Sequence, residues 1–389
     1  MNCNVIRNER FGESANTNGN KSFGKFSLEH GGFFVGEDVK ARMNLIRNSI
    51  LEVRKNWKDK KFRKKVIELF KNHIGGKSLL LMDFFNDEWY ELQKNPSAEQ
   101  NCDLIRFYTS SDGYETIFKY MNSIFREEHD KEVYDSAAFL VECMNIELYN
   151  LVKTEPEFSN FENTIYRGIA LDENTISDLL KIKKLSVENR KFAVPLSFMS
   201  CSKSQDVAKQ FLKNQRHRPH EEKVKSFCPV LFKIHVTSLD KTFLELYKSY
   251  YPDSVVSSIC AVDIENVSKY RKEQEVLLRG AFFQVLRFYE SKEKIDGKYV
   301  YVFELLMHNS NRDHITTSAF EKTNARRLFN TLIEIDRMKK CQDFFESTSD
   351  KKSYKQIEET KLKELEQIQK LCREENISSI NFCGGRFYK

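Results

Sequence analysis

Two glutamates separated by one residue, Glu273 and Glu275, precede the apolar run Val276–Leu278. If Glu275 opens a β-strand, both side chains leave the backbone on the same face, with their Cα atoms roughly 6 to 7 Å apart. Two carboxylates aimed into one space can divide proton transfer and charge stabilisation between them. The spacing is not specific by itself, because other acidic pairs share it, Glu155 with Glu157 and Glu364 with Glu366.

Two upstream segments carry residues suited to binding a phosphate and a sugar. The alternating segment 197–202 predicts a strand that places Ser200 and Ser202 on one face. Arg167 is followed at once by Gly168, so a guanidinium and bare backbone could both approach a phosphate closely. Each feature has an ordinary explanation when taken separately. Their order and spacing together indicate a site.

These segments resemble the mono-ADP-ribosyltransferases of the Arg-Ser-Glu class, a family of bacterial toxins and eukaryotic arginine-specific transferases. The resemblance covers about residues 100 to 310. Three segments carry it: Tyr166–Gly168 (YRG), Ser197–Ser202 (SFMSCS) in place of the family's Ser-Thr-Ser strand, and Lys269–Val285 (KYRKEQEVLLRGAFFQV). The last segment contains the Glu-x-Glu pair and the hairpin that begins at Gly280.

The resemblance implies that NAD is the co-substrate and that no metal is needed. Arg167, beside Gly168, would bind the pyrophosphate of NAD, which suits a planar and permanently charged guanidinium. Ser200 and Ser202 would both contribute to NAD binding, and Ser200 would hydrogen-bond both Glu275 and the nicotinamide ribose. Glu275 would bind the ribose 2′-hydroxyl and stabilise the ribosyl cation that forms as nicotinamide leaves.

The resemblance also implies roles toward the acceptor. Glu273 would align and deprotonate an arginine side chain, since relatives that modify asparagine have Gln at this position. Tyr270 would face the protein substrate, and Phe211 would hold nicotinamide in a strained pose. Two residues depart from the family pattern: Cys201 replaces Thr, with its side chain expected on the opposite, packed face, and Arg279 stands where many relatives have Pro.

The expected function is therefore transfer of ADP-ribose from NAD to an exposed arginine of a protein partner. Two alternatives stay open. In an NAD glycohydrolase, water would take the place of the acceptor and use Glu275 for the same ribosyl cation. A protein of another class, a non-catalytic module that binds NAD or ADP-ribose, is disfavoured by the presence of Arg167, Ser200, Glu273 and Glu275 together.

The order of the elements that must position these residues predicts an α+β fold. Helical periodicity dominates up to about residue 154, and short strands rich in β-branched and aromatic residues follow from about residue 163. The resemblance implies a core of two packed small β-sheets with flanking helices. We divide the chain into a disordered arm (1–36), an N-terminal helical region (37–100), a catalytic domain (101–310) and a C-terminal helical extension (311–389).

The C-terminal extension carries an apolar stripe in a Lys- and Glu-rich background: Leu362, Leu365, Ile368 and Leu371. Two interpretations stay open. The stripe predicts an amphipathic helix packed on its own domain, or a short coiled coil with a partner, although about two heptads rarely suffice for the latter.

Charge and cysteine usage exclude several other classes. A diffuse net charge of +6 over 389 residues argues against nucleic acid as a partner. Nine widely spaced cysteines without zinc spacing suit free thiols in a reducing cytosol. The sequence has no apolar leader and no run of about 18 apolar residues, so we expect a cytoplasmic protein that does not enter a membrane. The loop 216–220 and His235 are expected to be structural, with no metal.

Overall fold

The computed structural model describes residues 48–74, 103–125, 130–154, 161–182, 184–193, 198–216, 227–241, 260–279, 282–309 and 324–374. Three predicted features lie outside these residues: the disordered arm (1–36), Gly280 and the histidines of the loop 216–220. The domain boundaries at 36, 100 and 310 stay predictions.

The N-terminal part of the described chain is helical, as its periodicity predicts. Helical residues 48–55 are followed by α1 (Lys60–Ile74), α2 (Asp103–Tyr108), α3 (Ser111–Gly113), a π-helical turn (Tyr114–Phe118), α4 (Lys119–Ile124) and α5 (Lys131–Thr154). In α5, every residue from 134 to 145 is buried, so the middle of this helix is enclosed on all sides. Its apolar residues lie in one buried cluster with those of the other helices.

Eight strands form one sheet in the order β2-β7-β8-β4-β1-β3-β6-β5 among the described residues. The β4–β8 pair is parallel, and the other pairs are antiparallel. The strands are β1 (Asn163–Asp172), β2 (Lys191–Ala193), β3 (Phe198–Ser202), β4 (Phe227–Thr237), β5 (Ala261–Asp263), β6 (Glu275–Arg279), β7 (Phe282–Ile295) and β8 (Lys298–His308). Helix α6 (Glu173–Ile182) follows β1, and α7 (Gln205–Arg216) follows β3.

The sheet has a larger and a smaller part that meet at one residue pair. Strand β1 of the larger part (β2-β7-β8-β4-β1) pairs with β3 of the smaller part (β3-β6-β5) only through Tyr166 and Ser202. Apolar side chains of both parts lie in one buried cluster, with Phe232 and Phe303 from one and Met199 and Val276 from the other. The α+β class is confirmed, and the two expected sheets are two parts of one sheet because β1 and β3 join them.

The C-terminal part contains two long helices, α8 (Asn324–Ser347) and α9 (Lys351–Glu374). Both lie within the range 311–389 for which helical structure was expected, but an apolar stripe in the sequence marked only α9. Helix α8 buries charged Asp336 and Arg337 alongside Ile335 and Met338, so its buried residues do not form a single apolar stripe. Residues of α8 and α9 share a buried cluster with Leu286 of β7 and Leu306 of β8.

Most of the apolar stripe predicted on helix α9 is buried against other residues of the same chain. Leu365, Ile368 and Leu371 are buried, whereas Leu362 is 55% exposed. A helix of this kind packs on its own domain through three of its four apolar stripe positions. A partner for this helix stays a prediction.

Candidate active site

Glu275 and Glu273 are held by different kinds of backbone. Glu275 is the first residue of β6, as predicted, and is 2% exposed. Glu273 is not on the strand: it ends a 3₁₀ turn (Arg271–Glu273), and Gln274 between the two glutamates has φ +50°. The expectation that both side chains share one strand face is therefore wrong, because strand alternation does not extend through a left-handed residue.

The serine strand β3 fixes the turn that carries Glu273. Ser202 lies opposite Glu275 in the β3–β6 ladder. Its Oγ donates to the main-chain oxygen of Glu273 at 2.6 Å and accepts from the amide of Ser204 at 2.9 Å. The amide of Lys203 donates to the main-chain oxygen of Gln274 at 3.0 Å. Ser202 thus positions the backbone between the two glutamates.

Arg167 reaches from β1 to the neighbouring β3. One terminal nitrogen of its guanidinium donates to the main-chain oxygen of Ser200 at 2.5 Å. Its Nε is buried and has no hydrogen-bond partner among the residues that the structure describes. A buried donor of a charged group without a partner is costly, unless a ligand satisfies it.

Ser200 does not hydrogen-bond Glu275 as the resemblance implied. Ser200 lies opposite Leu277, two positions along β6 from Glu275, a separation of about 7 Å along a strand. Its Oγ is buried and has no hydrogen-bond partner within the described chain. The hydroxyl that donates to Glu275 is that of Ser268, whose Oγ lies 3.1 Å from Oε2.

The space next to Gly168 is filled by α7. Alternation along β1 places Gly168 on the face opposite Arg167, with Tyr166 and Ala170; these two share a cluster with α7. A Cβ on Gly168 would lie 2.0 Å from the main-chain oxygen of Ala208 in that helix. The missing side chain therefore permits close packing of α7. The expectation that it leaves open space for a phosphate is wrong.

The two aromatic residues of the predicted site are partly buried. Phe211 lies on α7, next to buried Leu212. The Tyr270 hydroxyl lies 3.0 Å from Ser111 Oγ in α3, so its polar end is directed toward the N-terminal helices. The roles of Phe211 with nicotinamide and of Tyr270 with a protein substrate stay predictions.

Sequence reasoning missed three residues that hold the chain just before and at the two glutamates: Ser268, Thr109 and Ser111. Thr109 Oγ1 accepts from the amide of Lys269 at 2.9 Å. Ser268 precedes Glu275 by only seven residues, but no periodic pattern links a turn residue to a strand residue. Thr109 and Ser111 are separated from the turn by about 160 positions, so only packing brings them there.

The two departures from the family pattern have structural explanations. Cys201 points away from the serine face into the cluster between the sheet parts, as expected, and burial raises the pKa of its thiol to about 12. Arg279 is 4% exposed and lies 4.0 Å from Glu142 of α5, which also pairs with Arg54 at 2.7 Å. Arg279 therefore links strand β6, which begins with Glu275, to the N-terminal helices.

Other candidate chemistry is weaker in the described part of the chain. No cluster of His, Cys, Asp or Glu among these residues could hold a metal ion. His235 is half-buried with its Nδ1 3.1 Å from Thr164 Oγ1, and burial is the largest cause lowering the pKa of its imidazole. None of the described helices combines the length and hydropathy that a membrane span requires.

The chain is similar to several solved ADP-ribosyltransferases, but at low identity. No protein-family model and no curated protein matches it. It is 17% identical to HopU1 of Pseudomonas syringae pv. Tomato DC3000 (TM-score 0.36; 63% of this chain and 97% of that chain covered). It is also 17% identical to Vis toxin from Vibrio splendidus (0.32; 68% and 90%) and 13% identical to an ADP-ribosyltransferase from Clostridium botulinum (0.30; 58% and 97%). At such low values, the chemistry has to be inferred from the site itself.

Proposed function

We propose that the protein transfers ADP-ribose from NAD to an arginine side chain of a protein substrate and releases nicotinamide. The observation that carries the proposal is that Arg167, Ser200 and Glu275 lie on the adjoining strands β1, β3 and β6, with the Arg167 guanidinium bonded to the main-chain oxygen of Ser200. Two of these side chains present buried polar atoms without a partner in the described chain, the Arg167 Nε and the Ser200 Oγ.

The unsatisfied atoms fit the polar groups of NAD. A guanidinium held against β3 suits a pyrophosphate, and its free Nε supplies a further donor. A buried serine hydroxyl can donate to, or accept from, a ribose hydroxyl. We therefore assign Arg167 to the pyrophosphate and Ser200 to the nicotinamide ribose.

Glu275 supplies the negative charge that bond cleavage needs. The C1′–N bond to nicotinamide breaks, and both of its electrons leave with nicotinamide, so positive charge develops on the ribose. A carboxylate fixed at the start of a strand stabilises that charge better than mobile solvent, because it does not have to reorient. Water or an acceptor nitrogen then forms the new bond to C1′.

Glu273 is assigned to the acceptor. An arginine guanidinium is protonated at ordinary pH and is a poor nucleophile until a base removes a proton. Glu273 would align the guanidinium and take that proton as the new C1′–N bond forms. Its place on a turn, next to half-buried Tyr270, suits contact with a protein substrate.

We also propose that the reaction takes place in the cytosol. The six cysteines that the structure describes are buried and outside any disulfide: Cys143, Cys201, Cys228, Cys260, Cys341 and Cys372. Free thiols are typical of a reducing compartment.

One experiment tests the proposal and both alternatives. The protein is incubated with NAD labelled in its ADP-ribose part, together with agmatine or an arginine-rich protein. A labelled adduct supports the transferase. Free ADP-ribose without adduct indicates a glycohydrolase, and unchanged NAD that still binds the protein indicates a non-catalytic module.

A further inference from the structure

Ser268 connects Glu275 of strand β6 to the backbone at Tyr270, in the segment that precedes the strand. Its side chain is 4% exposed, and its Oγ lies 3.1 Å from Glu275 Oε2. The same oxygen accepts from the amide of Tyr270 at 3.2 Å. Because the Tyr270 amide occupies an acceptor site, the hydroxyl proton of Ser268 is directed toward the carboxylate.

The backbone around Ser268 is fixed from both sides. Its own amide donates to the main-chain oxygen of Ile264 at 2.7 Å, and the amide of Ile264 donates to the main-chain oxygen of Glu275 at 3.0 Å. The next residue, Lys269, is bonded to Thr109 of the N-terminal part at 2.9 Å. Ser268 is therefore a rigid donor, held between β6 and the helices.

We propose that Ser268 is a positioning residue for Glu275: its hydroxyl holds the carboxylate in the orientation that stabilises the ribosyl cation. The inference rests on the proposed function, since it requires Glu275 to act on the ribose of NAD. In this chain, Ser268 provides the contact that Ser200 does not make, which leaves the Ser200 hydroxyl for the nucleotide.

The test is a pair of substitutions, Ser268→Ala and Ser268→Cys, each assayed for kcat and for KM of NAD in the cleavage reaction. We expect kcat to fall about tenfold while KM for NAD changes less than about twofold, because a hydrogen bond to a charged group is lost without touching the nucleotide.

Ser268→Cys changes one atom and keeps the volume, but a thiol is a weak donor. If Ser268→Ala does not fold, Ser268→Cys tests the positioning role in its place. The matched control is Ser353→Ala in α9, because Ser353 is also buried and donates to a carboxylate, Asp350, at 2.7 Å. This control should keep the wild-type kcat and the wild-type KM for NAD.

The failure of the inference and the failure of the proposed function give different results. An unchanged kcat in a folded Ser268 variant would overturn the positioning role and leave the transferase proposal intact. Absence of NAD turnover in the wild-type protein would overturn both.

Discussion

At the residue scale, the two glutamates have different surroundings and therefore suit different tasks. Glu275 is buried, begins a strand and accepts from Ser268. Glu273 is half-buried at the end of a turn whose backbone is held by Ser202. A fixed, buried carboxylate suits charge stabilisation, whereas a carboxylate on a turn can contact an incoming side chain.

Glu275→Gln and Glu273→Gln should separate the two tasks. We expect Glu275→Gln to lower kcat for NAD cleavage by about 10²- to 10³-fold, with or without an acceptor, because the charge that stabilises the ribosyl cation is removed. Glu273→Gln should retain hydrolysis of NAD and lose transfer to agmatine by about 10²-fold. Quantifying both products from labelled NAD checks this, and equal loss of both products in Glu273→Gln would contradict the division.

Buried Asp336 in α8 provides a pH-dependent test of stability. Burial raises the pKa of Asp336 from 3.8 to about 6, so the fold favours the protonated carboxyl. The stabilising contribution of this proton is complete below pH 3.8 and is lost as pH rises through about 6. Asp336→Asn should therefore gain stability over wild type across this interval, by about 3 kcal/mol at neutral pH.

The measurement is the free energy of unfolding of both proteins at several pH values between 4 and 8. Asp343→Asn, at an exposed position of the same helix, is the control. A pH-independent difference between Asp336→Asn and wild type would contradict the assignment.

At the element scale, the packing of α7 on β1 determines how the Arg167 strand is supported. The helix covers the face of β1 opposite Arg167 and approaches closest at Gly168. The other face of β1 contributes Ile165 to the cluster shared with β3 and β6. Arg167 therefore extends from a strand that is packed on both faces.

Gly168→Ala should lower the free energy of unfolding by about 1 to 3 kcal/mol, because the new Cβ meets a main-chain oxygen that cannot rotate away. Gly297→Asn is the control. Gly297 has open space around it but φ +79°, so Asn, which adopts this conformation more readily than most residues, should cost less than about 1 kcal/mol. Chemical denaturation of the two variants checks the contrast, and comparable losses would argue against the close approach of α7.

At the scale of the whole molecule, strand β6, which begins with Glu275, is packed between the N-terminal helices and the rest of the sheet. Leu277 of β6 belongs to the cluster formed with the N-terminal helices, whereas Val276 and Leu278 belong to the cluster between the sheet parts. Charge adds to this connection, since Glu142 of α5 lies between Arg54 and Arg279. The helical region is thus part of the support of the site.

Glu142→Gln should destabilise the protein by about 3 kcal/mol or more, because it leaves buried Arg279 without a carboxylate. The control is Glu132→Gln in the same helix, whose pair with Lys65 is more than half exposed on both sides and should contribute less than about 1 kcal/mol. Thermal and urea unfolding of both variants measure the difference. Equal effects would indicate that Glu142 does not join the two regions.

Local patterns predicted much of the fold and part of the site. The pattern of residues 275–278 predicted strand β6, and the alternation at Ser200, Cys201 and Ser202 correctly separated a polar face from a packed one. The bounds of helix α8 were not marked by an apolar stripe, because its buried positions include charged residues. The position of Glu273 was missed because the left-handed Gln274 interrupts the alternation.

The sequence by itself determined which side chains are available and which of them alternate along a strand, since alternation follows from the geometry of neighbouring peptide units. Only the tertiary structure decided that Ser268 donates to Glu275, that Thr109 holds the following residue, and that the space at Gly168 belongs to a helix. These contacts join residues up to about 160 positions apart or residues within an irregular turn. They depend on how whole elements pack, and no local periodicity encodes them.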